Sequence, residues 1–144
     1  MAELPVRLRE GLRSPDWRVR QAGVEGIGRL GDAGGMVLLA ATVHDEDEWV
    51  ASAAVHSLAE LASICGVRDQ ARLVLLRALS DERRQVAWSA AEELARCWIV
   101  DPEVGARLGR FYAEHGTEPP MVTFRHLGTD GAVLSEEPLW ELYE

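Results

Sequence analysis

An all-α solenoid of about three and a half helix pairs, followed by a short tail of different character, is the fold class this sequence predicts. Three observations predict it. A ten-residue pattern of helix start, valine and small residues occurs three times, at Ser14 to Gly23, Asp45 to Ala54 and Asp81 to Ala90. The copies align without a gap, and Val19, Val50 and Val86 are 31 and 36 residues apart, a period that marks stacked supersecondary repeats. Apolar residues then follow each valine at helical rather than strand spacing.

Each copy divides into two helical segments. The first helices are expected over roughly 3–12, 34–43 and 68–79, with apolar faces of Leu4, Leu8 and Leu12, then Val37, Ala40 and Ala41, then Ala71, Val74, Leu75 and Ala78. A cap follows at one register, five residues before each valine: Ser14 with Pro15, Asp45 with Glu48 three residues on, and Asp81. Such side chains accept hydrogen bonds from the free amides of a helix's first turn.

The second helices are expected over 15–30, 46–64 and 82–98. Counting the valine as zero, positions 0, 3, 4, 8 and 11 share one face at about 100° per residue. They are Val19, Ala22, Gly23, Ile27 and Leu30; Val50, Ala53, Ala54, Leu58 and Leu61; and Val86, Ser89, Ala90, Leu94 and Cys97. Small residues let neighbouring helices approach, and the larger ones fill the space between them. Gly31 and Gly66 stand where helix C-caps are expected.

The run Val19-Arg20-x-Ala22, with Ile27-Gly28-x-Leu30-Gly31-Asp32, resembles the HEAT-like repeats of the bilin-lyase-associated class. The later copies match less fully, since Ala51 and Ala87 stand where that family has arginine. The resemblance extends over about residues 3–115 and implies a right-handed α-solenoid of antiparallel helix pairs, with the second helices lining its concave side.

A fourth first helix is expected from Asp101-Pro102-Glu103 to about His115, with Val104, Leu108 and Phe111 or Tyr112 on its apolar face. The solenoid is therefore assigned to 1–115 and an acidic tail to 116–144. In the tail Met121 to Leu127 and Ala132 to Leu134 are strand-like around the turn signal Gly128-Thr129-Asp130-Gly131, a candidate β-hairpin. Pro138 to Tyr143 suits one helical turn. A cap over the last repeat and a flexible segment are the two readings of this tail.

Composition narrows the function. Apolar residues make up 47% and charged residues 27% of the 144, and the apolar runs are too short to span a membrane. No secretory signal is visible, so a cytoplasmic setting is expected. All 15 basic residues are arginine, a bias of the kind high-GC genomes produce. Cys65 and Cys97 are expected to serve as small hydrophobes. The net charge of −9, with six acids against Arg125 alone in residues 115–144, disfavours nucleic acid and favours a basic protein partner.

Binding is expected on the outward positions of the second helices. Positions 2, 6 and 9 are Gln21, Glu25 and Gly28; Ser52, His56 and Ala59; and Trp88, Glu92 and Ala95, with Arg29, Glu60 and Arg96 on the flank. The candidate partner-binding residues are thus Gln21, Glu25, Arg29, Ser52, His56, Glu60, Trp88, Glu92 and Arg96. Trp88 beside arginine is the kind of anchor that dominates protein interfaces, and packing against its neighbours is the competing reading. Trp17 and Trp49 suit either packing between adjacent turns, the commoner case, or an aromatic ridge along one edge, Trp98 belongs to the core, and Trp140 suits a cap, a dimer contact or a partner-binding peptide. The acidic run His44 to Glu48 lacks calcium-loop spacing and is explained by capping.

The histidines His44, His56, His115 and His126 form no metal motif, and no catalytic or phosphate-binding signature occurs. The expected function is a non-catalytic interaction module holding a peptide or protein partner, with no catalytic residue, cofactor or metal. Its alternatives are a small acidic inhibitor or immunity-type protein masking a basic partner, and a HEAT-like enzyme of the bilin-lyase or DNA-glycosylase type.

Overall fold

The computed structural model describes residues 5–64, 66–98 and 100–115, together with the backbone of 123–124 and 135–136. Seven helices run through it: α1 (Val6–Gly11), α2 (Trp17–Leu30), α3 (Gly35–Thr42), α4 (Glu48–Ile64), α5 (Arg68–Ala78), α6 (Arg84–Cys97) and α7 (Pro102–Glu114). Beyond them Thr123–Phe124 (β1) pairs antiparallel with Ser135–Glu136 (β2), Thr123 opposite Glu136 and Phe124 opposite Ser135. The rest of the expected hairpin, 121–122, 125–127 and 132–134, and the closing turn at 138–143 lie outside the described residues.

The chain divides into two compact units, residues 1–93 and 94–144. In the first, the pairs α1/α2 and α3/α4 pack within themselves, α2 lies along α4, and α5 packs on α3 and α4. The second copy obeys the repeat register in full, with Val50, Ala53, Ala54, Leu58 and Leu61 all buried. The third does so through Val86, Ser89, Ala90 and Leu94, while Cys97 is half-buried.

The first copy departs from the register. Gly23 and Ile27 are buried, but Val19, Ala22 and Leu30 are exposed. The physical reason is position: no earlier repeat covers this flank among the described residues, and α1 is too short to bury any of its own side chains. Leu8 and Leu12 of α1 reach α2 only where Gly26 and Gly23 admit them. In α3 the core face is one residue away from expectation: Met36, Leu39 and the following Val43 are buried, whereas Val37 points outward. Gly35 lets α3 rest on Ile27, since a Cβ there would fall 2.5 Å from the Ile27 Cγ2.

Small residues also set the spacing of the second helices. A Cβ on Gly28 would lie 2.8 Å from the Ser57 Cβ, so α2 and α4 meet there almost backbone to backbone. Between α4 and α6 the buried hydroxyls of Ser52 and Ser89 share a hydrogen bond. Gly28, Ser52, Ala59 and Ala95 therefore correct the expectation that positions 2 and 9 face outward. All four are buried, with Gly28 against Ser57 of α4 and the Ser52 hydroxyl against Ser89 of α6.

The turns inside the pairs follow a different logic from the one expected. Asp16 caps α2 by accepting from the Arg18 amide at 2.9 Å, and Asp47 caps α4 by accepting from Trp49 and Val50 at 2.9 and 3.1 Å. The caps thus sit three residues before the valine, not five. Ser14, Asp45 and Asp81 instead accept from the amide two residues on, at 3.1, 2.9 and 2.9 Å, forming local side-chain turns that lead into each helix. Gly31 closes α2 in the left-handed region at φ 72°, while Gly66 does not adopt it. Asp101 does cap α7, accepting from Glu103 and Val104 with Pro102 at the first helical position.

Two arginines stitch these turns together. Arg20 donates through Nε and Nη2 to both Asp45 oxygens at 3.0 and 3.2 Å, and through Nη1 to the Ser14 carbonyl at 2.9 Å. In the third copy Arg83 occupies the cap position and cannot accept. Its guanidinium instead forks onto Asp81 at 3.0 Å and donates to the carbonyls of Val43, at 2.8 Å, and Asp45. Arg83 thus supplies the inter-turn cation that Ala51 and Ala87 do not.

Arg83 also holds the Asp81 carboxyl below the usual carboxylate range, chiefly by hydrogen bonding and against the opposing pull of burial. A carboxyl lowered on folding contributes stability that is complete above its ordinary value of 3.8 and is lost as pH falls through the folded value. Asp81→Asn is therefore expected to cost about 1 kcal/mol at pH 7 and progressively less as pH falls through the folded value. Urea midpoints at pH 7, 5, 4, 3 and 2 check this; a deficit unchanged at the lowest pH would leave the pair without its assigned role.

In the second unit, Leu94, Ala95 and Trp98 are buried, as are Val104, Leu108, Phe111 and Tyr112 on one face of α7. Phe111 meets Tyr112 edge-on and stacks near the His115 ring, whose Nδ1 donates to the Phe111 carbonyl at 2.7 Å. No helix among the described residues is long and apolar enough to cross a membrane.

Candidate functional site

A groove of about 410 Å³ opens on the second helices of the first unit. α2 lines it with Gln21, Glu25 and Arg29, α4 with Trp49, Ser52, Ala53, His56, Ser57 and Glu60, and Gln85 comes from α6. Residues four apart on a helix share a face, which is why Gln21, Glu25 and Arg29 reach the groove together, as do Ser52, His56 and Glu60.

The close packing described above makes the groove shallow and fixes its walls. Gly28 against Ser57 holds α2 near α4, leaving the longer side chains of both helices to rise around the contact. The Gln21 amide donates to Glu25 Oε1 at 3.2 Å, orienting that carboxylate. Ser52 lies at the floor with its hydroxyl committed to Ser89.

Beside the floor, His56 Nδ1 lies 2.6 Å from Glu93 Oε1. The histidine side chain is 43% exposed and the glutamate only 3%, so a carboxylate from α6 sits out of water behind a ring that reaches it. Glu93 was not among the expected site residues. It stands seven residues after its valine, where the other copies have Gly26 and Ser57. A charged residue at a register otherwise filled by small, inward-facing ones requires a buried partner, and that anomaly was the available signal.

Six expected residues, Gln21, Glu25, Arg29, Ser52, His56 and Glu60, line this one groove. Trp88, Glu92 and Arg96 are not among its lining. Trp88 is half-buried with the Arg84 guanidinium 5.9 Å from its ring centroid, and Glu92 and Arg96 are exposed on α6. The groove's aromatic is Trp49, 60% exposed, and Trp17 is exposed as well. Of the two readings of these tryptophans the exposed one holds, because each is in the first turn of its helix, outside the buried stripe. Asp45 and Asp47 of the acidic run are engaged with Arg20 and with backbone amides, and no cluster suited to a metal occurs among the described residues.

Helix pairs repeated in register, joined through their turns and presenting a polar groove on their second helices, define an α-helical repeat protein. The family model for HEAT repeats matches residues 5–95, and the chain belongs to the HEAT-repeat family. The match does not single out the bilin-lyase-associated subtype. No curated protein matches the chain at a significant level. HEAT repeats generally serve as protein-interaction scaffolds and are typically non-catalytic.

Proposed function

We propose that the chain is a non-catalytic interaction module that holds a peptide or a segment of a protein partner in the groove between α2 and α4. The observation that carries this reading is the groove itself, in which an exposed tryptophan stands beside carboxylates, a guanidinium and an imidazole. An aromatic ring at the edge of a polar cleft offers a large apolar contact with little side-chain entropy to lose. The net charge of −9 favours a basic partner, and a small acidic inhibitor that masks such a partner is the second reading.

The test is site-directed photocrosslinking in the native host. With the photoreactive residue at Gln85, on the groove, a defined adduct is expected; at Arg77, exposed on α5, it is not. Adding Trp49→Ala is expected to reduce the groove adduct roughly tenfold, the loss typical of an aromatic anchor. Equal adducts from Gln85 and Arg77, indifferent to Trp49, would refute the groove as the docking face.

A further inference from the structure

We infer that the groove seats a cationic side chain of its partner and that its occupancy is coupled to a proton on the His56–Glu93 pair. The inference rests on the groove being the docking face and goes on to name what that face recognises and what regulates it.

The cationic preference follows from the groups present. The groove holds the carboxylates of Glu25 from α2 and Glu60 from α4, with Glu93 of α6 behind His56, and among the described residues Arg29 of α2 is the one cation of fixed charge in its lining. Two lining carboxylates against one guanidinium leave the described lining negative while His56 is neutral. Trp49 stands at the edge with its ring largely in water, and the face of an indole attracts cations. A guanidinium or ammonium entering the groove thus meets carboxylates and a π-face.

The proton coupling follows from the geometry of the pair. At 2.6 Å the imidazole and the carboxylate titrate as one unit, so a proton added to either belongs to both. Without it the pair carries one negative charge, and with it none. Because Glu93 is buried and His56 is partly exposed to the groove, that change of charge lies against the space an occupant would fill. Protonation weakens the attraction for a cation without altering the groove's shape. The comparison is made between about pH 8 and pH 5.5, a range in which exposed carboxylates ordinarily keep their charge.

The probe is acetylated tetra-arginine amide, with tetra-glutamate as the control. Binding is followed by calorimetry and by the Trp49 indole signal in nitrogen-resolved NMR, assigned with Trp49→Phe. Tetra-arginine is expected to move the Trp49 signal and to bind roughly fivefold or more weakly at pH 5.5 than at pH 8, as the loss of one nearby charge implies. His56→Gln, which cannot take up the proton, is expected to bind about equally at both. Glu93→Gln is a second probe of the coupling, and His56→Gln alone suffices if that variant fails to fold.

A Trp49 signal unmoved by tetra-arginine, equal binding of tetra-glutamate, or the same pH profile in His56→Gln would overturn the inference. If tetra-arginine fails while Trp49→Ala still abolishes the groove crosslink, the docking reading stands and the cation seat falls. Should the crosslink prove indifferent to Trp49, the docking reading itself is at fault.

Discussion

Asp45→Ala is expected to destabilise the protein by about 2–4 kcal/mol, far more than its place in a turn would suggest. Three bonds depend on that carboxylate. It takes a two-point bond from Arg20 and also accepts the Asp47 amide that leads into α4. Both members of the ion pair are only 12% exposed, so removing one leaves the other's charge short of solvent as well as of its partner. Truncating one side of a well-buried pair costs about 3–5 kcal/mol, and the lower range here allows for water that can reach the turn. Asp16→Ala removes a true N-cap whose partner Arg18 is largely in water, and should cost clearly less than Asp45→Ala. The measurement is urea unfolding of both variants, with Arg20→Met added in a double-mutant cycle. A coupling below about 0.5 kcal/mol between Arg20 and Asp45 would mean that the stitched turns contribute little.

The same turns show how much of the molecule was legible in the sequence. The register of valines, small residues and leucines located the two helices of each pair, because helical periodicity and the loop between them are local properties. The sequence points to a cap two residues early, because Ser14, Asp45 and Asp81 carry the same side-chain chemistry as a true cap, and only the backbone decides which amide they meet. Arg83 illustrates the limit more sharply. It breaks the local cap rule, and its reason lies on the preceding copy, in the carbonyls of Val43 and Asp45.

The groove followed a similar division. Gln21, Glu25 and Arg29, and Ser52, His56 and Glu60, were readable as two outward stripes, since each stripe belongs to one helix. Which stripes face each other is a property of packing. Trp49 lines the groove and Glu93 backs it behind His56 through inter-helix geometry, and Trp88 is absent from the lining for the same reason.

Identical positions in the repeat are expected to respond very differently to the same substitution. Leu61→Ala should cost about 3 kcal/mol, because the side chain is fully buried and its loss leaves a cavity in addition to the transfer term. Leu30, its counterpart in the first copy, is 49% exposed, so Leu30→Ala should cost under about 1 kcal/mol. Val50→Ala and Val19→Ala should divide the same way, since Val50 is fully buried and Val19 is 45% exposed. The sequence cannot distinguish the members of these pairs, because register specifies which way a side chain points along its helix but not whether a helix stands there to meet it. In a stacked array stability is a sum of repeat and neighbour terms, and among the described residues no helix supplies that neighbour term to this flank of α2. Urea unfolding of the four variants measures that missing neighbour term directly. Losses at Leu30 and Val19 as large as those at Leu61 and Val50 would show that the flank of α2 is covered in solution.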